Sequence, residues 1–342
     1  MSVRQIAAAL HLSPSAVSLA LRHSPKIPAA TRHRVLRQAE KIGYRPNAKL
    51  KEVMSHLRLA HVRPVEACFG VVSLYDSLRP WDGSAHLTRI FASMETRAAQ
   101  LGYRLEPMRL RAPGMTHRRF KAILETRGIQ GLLCFGSPRH EDAFPADLGA
   151  VATVTVGLSI ATALHRVTSY FYNDLTHLLQ RVHALGYRRP GLVLGRYEDH
   201  RSSHNYIGAY LAWCEQTFGG PVAPILRLDR VEEEPLLSWF RHYKPDVIVL
   251  VHLYDVLEEF QRLLIQHRIR VPQDVGVAAV SQILEGTGLS GMQQNQALMG
   301  SWAVELLVSR IMNQDFGLPT NPRIEMVESE WIDGRSLRSP RR

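Results

Sequence analysis

Short apolar segments alternate with amphipathic helical segments over most of this chain, and this alternation restricts the possible folds more than any other feature. The apolar segments have few polar positions and many β-branched residues, as in CFGVVSLY, GLLCFG, VATVTVG and VIVLV. Strands of this kind are buried on both faces, as in parallel sheets that helices cover on both sides. There are too many such units for one small sheet, so we predict an α/β body of two lobes, each a doubly wound parallel sheet.

The order of these elements can be read along the chain from residue 68. Strands are predicted at 68–75, 103–110, 131–136, 151–157, 191–195, 247–251 and 271–280, and the segment SYFYND follows the fourth of them at 169–174. Helices are predicted at 87–101, near 117–127, up to Leu185 and at 256–267. Gly102 and Gly186 follow two of these helices, where a glycine commonly ends a helix.

The first residues, SVRQIAAALHLSPSAVSLALRH (residues 2–23), carry a different pattern. The first helix of this stretch has one apolar face, formed by Ile6, Ala7 and Leu10. Ser13 and Pro14 begin a second helix, because a serine accepts a hydrogen bond from the free N–H groups and a proline loses nothing at the first position. The buried face of that helix is formed by Val17, Ala20 and Leu21. Two short helices joined by a few residues predict a helix-turn-helix, although a plain helical hairpin would look similar.

A third helix and a concentration of positive charge complete this head. The third helix has an apolar face and ends at Gly43; the face is formed by Val35, Leu36, Ala39 and Ile42. Through Arg63 the chain has 12 Lys and Arg against 2 acidic residues, so 12 − 2 = +10 of the total +11 lies there. A basic head before a nearly neutral body is typical of a protein that binds a polyanion, and the alternative is a solvated basic face.

Several runs in the chain resemble the LacI/GalR (lactose-repressor/galactose-repressor) family. In the head these runs are I6-A-x3-L10, L12-S-P-S-A-V-S18, T31-R32-x2-V35-L36 and G43-Y-R-P-N47. In the body they are ALGYRR (184–189), RVPQDVGV (270–277), and Gly300 with AVELL (303–307). The resemblance covers nearly the whole chain. It implies a three-helix helix-turn-helix head and a two-lobed body like that of periplasmic sugar-binding proteins.

The resemblance also implies a division of the chain. Residues 1–47 form the DNA-binding head, 48–64 a hinge helix and linker, and 65–342 the body that binds an effector and dimerises. Within the body, the N-lobe is predicted at about 65–165 and 288–320, and the C-lobe at about 166–287 and 321–342.

The resemblance assigns DNA contacts to the head residue by residue. The positions where family members read bases in the major groove hold Pro14, Ser15 and Leu19. The positions that contact the DNA backbone hold Ser13, Ser18, Thr31 and Asn47. Leu19 departs from the arginine of many members, and leucine offers only apolar contact where arginine reads guanine. We therefore hypothesise a different operator half-site, for which Arg22 supplies part of the readout.

The hinge is predicted to order on DNA, paired across a dimer in the minor groove. An apolar side chain there wedges between base steps and kinks the duplex. By position the wedge is Val53, with Met54 and Leu50 beside it. The alternative is a linker helix that packs its apolar side on the body.

The cleft between the lobes departs further from the family. Where many members hold a sugar with Asp, Arg and Asp, this chain has Tyr254, Asn205 and Ser281. Two neighbours of these positions, Asp255 and Arg201, could substitute for them. Three residues after the first strand are also predicted to face the cleft, since ligands bind at the carboxyl ends of parallel strands: Tyr75, Asp76 and Trp81. The alternative for each is an ordinary surface or core residue.

From these observations we expect a cytoplasmic, homodimeric transcription regulator, a repressor, that binds a pseudo-palindromic double-stranded operator. We expect a small-molecule effector, for which a sugar is one candidate, and no cofactor, no metal and no membrane partner. Three scattered cysteines, no signal-peptide pattern and no long apolar run agree with that setting. No motif of an enzyme active site is found. The alternatives are a sugar receptor of the same body fold that binds no operator, an effector-independent DNA-binding regulator, and an enzyme with its site in the cleft.

Overall fold

Three helices form a head and two six-stranded sheets form a body in the computed structural model. The model describes residues 3–21, 24, 27–44, 67–139, 142–144, 148–228, 230–251 and 257–338. The helices of the head are α1 (Val3–Leu10), α2 (Pro14–Leu21) and α3 (Ala29–Lys41). The hinge region predicted at 48–64 lies outside the described residues.

The head folds because each helix buries one apolar face against the other two. Ile6, Val17 and Val35, one from each helix, have no exposed surface and meet at its centre. The Oγ atom of Ser13 accepts a hydrogen bond from the backbone N–H of Ala16 at 3.1 Å, which caps α2. Gly43 follows α3 with a φ of +63°, a conformation that costs glycine little. The three predicted helices are confirmed, together with their caps.

The first sheet of the body is entirely parallel. Its strands are β1 (Ala67–Ser73), β2 (Tyr103–Arg109), β3 (Gly131–Cys134), β4 (Ala152–Val156), β5 (His165–Ser169) and β11 (Ile324–Val327). They lie in the order β11-β5-β4-β3-β1-β2.

The second sheet is parallel except at one edge, where β12 runs antiparallel to β10. Its strands are β6 (Pro190–Leu194), β7 (Leu226–Arg227), β8 (Val247–Val251), β9 (Gly276–Ser281), β10 (Ser290–Gln293) and β12 (Glu330–Ile332). They lie in the order β12-β10-β9-β8-β6-β7. The central strands are buried at every position, as the all-apolar pattern predicts.

Helices cover both faces of each sheet. They are α4 (Ala85–Gln100), α5 (His117–Thr126), α6 (Phe171–Ala184), α7 (Arg196–Arg201), α8 (Asn205–Phe218), α9 (Glu233–Tyr243), α10 (Leu257–Gln266) and α11 (Gln296–Met312). Four separate apolar clusters fill the spaces between these helices and the two faces of the two sheets. The predicted pair of doubly wound lobes is therefore confirmed. Among the described residues, no helix has the length and apolar character that crossing a membrane requires.

The chain passes between the lobes three times: between β5 and α6, between β10 and α11, and between β11 and β12. The N-lobe therefore comprises 67–169 and 296–327, and the C-lobe 171–293 and 330–338. This corrects the predicted boundaries near 165, 288 and 320. The largest error concerns β11, which was predicted in the C-lobe and pairs with β5 of the N-lobe.

One strand was misplaced because its polar residues concealed it. The segment SYFYND (169–174) spans the first passage of the chain from the N-lobe to the C-lobe. The strand at this point is β5, which lies just before it at His165–Ser169. His165 and Arg166 break the apolar pattern, yet both are buried. The His165 Nε2 atom lies 3.2 Å from the Asp315 carboxylate, and Arg166 donates to the Thr162 carbonyl. Contacts with residues outside the strand thus allow polar side chains at buried positions.

Candidate functional site

A cleft lies between the two lobes, at the carboxyl ends of strands from both sheets. The loops after β1, β3 and β4 reach it from the N-lobe, and those after β6, β9 and β10 from the C-lobe. Its empty space is about 620 Å³, which includes the part open to solvent. The polar residues that line it are Tyr75, His86, Ser137, Ser159, Thr168, Ser169, Arg201, Gln282, Gln294 and Gln296. Apolar side chains, among them Leu87, Phe135, Phe171 and Met299, form the remaining wall.

Arg201 is the cation among the described residues that line this cleft. It ends α7, the short helix after β6, and its side chain is 24% exposed. Its Nε atom donates to Glu198 Oε2 at 3.2 Å. Burial raises the pKa of Glu198, and Arg201 acts in the opposite direction. For Arg201, burial acts to lower the pKa, but Glu198, Tyr197 and Tyr206 together outweigh burial and raise the pKa. The guanidinium is thus held charged and oriented at the wall of the cleft.

Two side chains of the N-lobe face Arg201 from across the cleft. Burial lowers the pKa of His86 to about 4, and the positive charge of Arg201 adds to the effect. His86 is therefore neutral at physiological pH, and its Nδ1 atom lies 2.8 Å from the Ser84 hydroxyl. Burial also raises the pKa of Tyr75, which Arg201 partly offsets. The two lobes together create the electrostatic environment of the site.

Buried amide and hydroxyl groups supply the other polar contacts. Gln294 Nε2 donates to the Tyr206 hydroxyl at 3.2 Å, and Gln296 Nε2 donates to the Gln282 carbonyl at 2.6 Å. Two further oxygens, Gln282 Oε1 and Thr168 Oγ1, are buried without a hydrogen-bond partner among the described residues. A buried polar atom without a partner costs about 1–3 kcal/mol, so these oxygens favour a bound molecule that donates hydrogen bonds to them.

An ion pair behind the cleft fixes the N-lobe loops. Arg111 donates to the Leu74 carbonyl at 2.7 Å and to Asp142 Oδ1 at 2.7 Å. Asp142 Oδ2 also accepts from the Ser137 hydroxyl at 2.6 Å. Ser137 in turn donates its backbone N–H to the Ser159 hydroxyl. The loops after β1, β3 and β4 are therefore linked through one carboxylate.

We expect Asp142→Asn to destabilise these loops. Asparagine keeps the shape of the side chain but leaves Arg111 without its counter-charge. The free energy of unfolding should fall by about 1–3 kcal/mol, as for other hydrogen bonds to charged groups. Urea denaturation at pH 7.5 measures the change.

The pH dependence and a matched variant check this result. Burial acts to raise the pKa of Asp142, but hydrogen bonds from Ser137 and Arg111 outweigh it and lower the pKa. The stabilisation by the carboxylate is then present above the unfolded-state pKa and is lost as the pH falls towards the lower folded-state pKa. The difference between wild type and Asp142→Asn should therefore shrink in acid. Glu125→Gln, at an exposed position on α5, is the control. Equal effects of the two variants would contradict the role of Asp142.

The structure brings together only part of the predicted cleft site. Tyr75 and Arg201 line the cleft. Asp76 is exposed and Ser281 donates its hydroxyl to the Ile283 carbonyl, and neither lines the cleft. Asn205 begins α8, where its Nδ2 atom donates to the Ser202 carbonyl at 2.7 Å. Tyr254 and Asp255 lie outside the described residues.

Trp81 was predicted in the cleft, and this is wrong. It is 2% exposed and belongs to the N-lobe core. Its ring stacks on Phe91 with centroids 4.1 Å apart and packs against Phe135 at 5.2 Å. The turn Pro80–Gly83 directs this large apolar ring towards the helix layer, where its burial is favourable, and away from the cleft.

Sequence reasoning missed most of the polar lining. Gln282 directly follows Ser281, which was predicted to line the cleft. The prediction therefore identified the correct loop but the wrong residue within it. His86 lies in the first turn of α4, and a histidine in a helical pattern gives no indication of a ligand site. Gln294 and Gln296 follow β10, a strand whose sequence, SGMQ, has too little apolar character to be predicted. The rule that loops at strand carboxyl ends form the site would have found them once β10 was known.

The head presents several of the predicted DNA-contact residues at its surface. Ser13, Pro14 and Ser15 are exposed, and Ser18, Leu19 and Thr31 are partly buried. Exposed cations on α3 lie in the same head, at Arg34, Arg37 and Lys41. The other predicted DNA contacts lie outside the described residues: Arg22, Asn47, Leu50, Val53 and Met54.

The described residues contain no group of three or more His, Cys, Asp or Glu side chains placed to hold a metal ion. All three cysteines are free thiols, and Cys134 and Cys214 are buried. Burial raises the pKa of Cys134 to about 12 and that of Cys214 to about 11, so neither is a reactive thiolate at physiological pH.

Comparison with known proteins gives a family model for part of the body. The model describes a periplasmic binding protein-like domain and matches residues 179–337. No curated protein sequence matches the chain.

Solved structures match nearly the whole chain. The transcriptional regulator CelR in complex with cellobiose has a TM-score of 0.57 and 18% identity, and the match covers 98% of this chain and 99% of that chain. The lac repressor dimer bound to operator and the anti-inducer ONPF has a TM-score of 0.57 and 16% identity, covering 98% of both chains.

A third structure matches 80% of this chain and all of its own. It is the periplasmic binding protein/LacI transcriptional regulator from Alkaliphilus metalliredigens complexed with D-xylulofuranose, with a TM-score of 0.56 and 15% identity. All three are structures of transcription regulators. The resemblance seen in the sequence is thus confirmed in the structure: the chain has the fold of the LacI-family transcription regulators, with a helix-turn-helix head and a two-lobed body like that of periplasmic binding proteins.

Proposed function

We propose that this protein is a sequence-specific DNA-binding transcription regulator, a repressor, whose DNA affinity depends on a small molecule bound in the cleft. One observation carries the proposal: a helix-turn-helix with an exposed second helix lies in the same chain as a body with a polar cleft between two lobes. The complexes of CelR with cellobiose and of the lac repressor with operator support both halves of it. By analogy with CelR, the effector is a sugar or a molecule derived from one. The proposal places the protein in the cytoplasm.

In this proposal α2 enters the major groove. The first turn of a recognition helix meets the base edges, and small side chains there allow close approach. Pro14 and Ser15 occupy that turn, and Leu19 lies one turn later on the same helix. The cations of α3 supply attraction to the phosphates, which positions the head but carries no sequence information.

The effector acts through the closure of the lobes. The two lobes already contact each other at the surface, where Arg89 Nη2 lies 2.8 Å from Glu285 Oε2. A ligand shifts the equilibrium between open and closed lobes only by its difference in affinity for the two states. In a homodimer, the lobe positions set the distance between the two heads and so their fit to two half-sites of a pseudo-palindrome. The hinge at 48–64 then connects lobe closure to the DNA.

A gel-shift titration of the full chain on genomic fragments tests the proposal. We expect at least one fragment to stay bound in excess competitor DNA, with an affinity at least about 10³-fold above that for nonspecific DNA. The logarithm of the affinity should fall linearly with the logarithm of the salt concentration, because phosphate neutralisation releases counterions. Ser15→Asp, which places a negative charge at the proposed groove surface, should abolish the specific complex. Glu215→Gln on the body is the control.

A second function is favoured by the extent of the family model, which matches only body residues. A receptor of the same fold would bind its ligand in the cleft without any operator. Ligand binding together with DNA binding that competitor DNA abolishes would support the receptor and contradict the regulator.

A further inference from the structure

We infer that the cleft recognises a polyhydroxylated carboxylate of hexose size, such as an aldonate or a uronate. The carboxylate would bind the two Nη groups of the Arg201 guanidinium. The inference deepens the proposed function, since it names the ligand class for the proposed effector site. It requires only that the cleft binds a small molecule.

The first argument is the arrangement of hydrogen-bond donors on Arg201. Glu198 contacts the Nε edge of the guanidinium at 3.2 Å. The two Nη groups have no acceptor among the described residues, although Arg201 lines the cleft and its side chain is largely buried. Two parallel N–H donors of a guanidinium match the two oxygens of a carboxylate. Glu198 therefore orients the guanidinium, and a ligand oxygen pair is the missing partner.

The second argument is the charge of the lining. Among the lining residues that the structure describes, Arg201 is charged at neutral pH and no Asp or Glu is present. His86 is neutral, because burial and Arg201 lower its pKa to about 4. A site for a neutral sugar needs strong acceptors for the many hydroxyl protons of its ligand. The described lining instead combines an unpaired donor pair with amide and hydroxyl groups, which fits a ligand that supplies the negative charge itself.

The third argument separates a carboxylate from a phosphate. A phosphate monoester carries a charge of about −1.5 to −2 at pH 7 and three acceptor oxygens. Among the described residues, the cleft lining offers one cation, whose charge Glu198 already offsets in part. A single negative charge on a planar group is therefore the better match.

The remainder of the lining fits the polyhydroxylated part of such a ligand. Gln282 is 6% exposed and Thr168 2% exposed, and the side-chain oxygen of each is buried without a partner in the described structure. These oxygens can accept hydrogen bonds from ligand hydroxyls. Phe135 and Phe171 form part of the apolar wall, which suits the C–H face of a sugar chain or ring.

A thermal-shift and calorimetry panel on the full chain tests the inference. The probes are sodium gluconate, galactonate, glucuronate and galacturonate. Glucose, galactose and glucuronamide serve as neutral counterparts, and sodium chloride matches the ionic strength. We expect at least one acid to raise Tm in a saturable manner, and its neutral counterpart to bind at least about tenfold more weakly. The inference is overturned if no acid binds, or if a neutral counterpart binds as tightly as the acid.

Variants of Arg201 test whether this residue binds the carboxylate of the ligand. Arg201→Gln should weaken binding of the acid about tenfold to a hundredfold, because the charge-assisted hydrogen bonds are lost. Arg201→Lys keeps the charge without the paired donors, and it should also weaken the acid about tenfold while the ligand-free Tm stays near that of the wild type. Arg262→Gln, at an exposed position on α10 outside the cleft, is the matched control and should bind the acid normally. Unchanged affinity in both Arg201 variants would contradict the assignment.

The ligand panel tests the ligand class and the gel shift tests the DNA-binding regulator, and either result can be negative without the other. An acid that binds in the cleft without changing DNA affinity supports the ligand class and counts against the regulator. A specific DNA complex in a protein that binds none of the acids supports the regulator and overturns the ligand class.

Discussion

Replacing Asp174 with asparagine should raise the free energy of unfolding at pH 8 by an amount on the order of 3 kcal/mol, and by little at pH 4. Asp174 lies in the first turn of α6 with no exposed surface. Its Oδ1 atom accepts the backbone N–H of Ser329 at 3.1 Å, and its Oδ2 atom has no hydrogen-bond partner among the described residues. A buried carboxylate with one oxygen unpaired is costly in its charged form.

The sign of the pH dependence follows from the direction of the pKa shift. Burial raises the pKa of Asp174 to about 7, and hydrogen bonding by Ser329 only partly opposes this. Between the unfolded-state pKa near 4 and this value, the folded protein binds more protons than the unfolded chain, so stability falls as the pH rises. The loss is therefore nearly complete by about pH 8. Asparagine keeps the acceptor for Ser329 and carries no charge, so its stability should not fall over this range.

Urea denaturation of both proteins from pH 4 to pH 8 measures this effect. Glu215→Gln, which removes an exposed carboxyl on α8, is the control and should stay within about 0.5 kcal/mol of the wild type at each pH. Parallel stability profiles of Asp174→Asn and wild type would contradict a protonated Asp174.

Gly291→Ala should lower the free energy of unfolding by about 3 kcal/mol or more. Gly291 lies in β10, between β9 and β12. A Cβ atom there would lie 1.9 Å from the Ala279 carbonyl oxygen and 2.8 Å from the Ala279 nitrogen. These are backbone atoms of β9, which β8 holds in register on its other side. The clash therefore cannot be relieved by a side-chain rotation, and the sheet must shift.

Gly208→Ala provides the matched comparison, because nothing lies within 4 Å of its added Cβ atom. Gly208 is within α8, where alanine is favoured over glycine by up to about 1 kcal/mol. The two variants should change stability in opposite directions, measured by urea denaturation and by Tm. A wild-type Tm for Gly291→Ala would show that the strands can separate without loss of packing.

Local patterns were sufficient to predict the elements that local interactions stabilise. The head follows from apolar spacing, a serine cap and a glycine stop, all of which act within a few residues. VIVLV was predicted at the bounds of β8, because a strand buried on both faces needs apolar residues at every position. The strands that escaped prediction are β5, β7, β10, β11 and β12. In β5 and β10, polar residues are satisfied by partners outside the strand, as His165 is by Asp315.

The sequence by itself therefore determined the division into a basic helical head and an α/β body of two lobes, since both depend on periodicity and composition. Only the tertiary structure decided which residues form the cleft. Trp81 and His86 both follow β1, yet stacking on Phe91 draws Trp81 into the core, while His86 faces Arg201 from the other lobe. Tyr75, Arg201 and Gln282 meet because two sheets direct their strand ends at each other, and long-range packing of this kind leaves no periodic trace in the sequence.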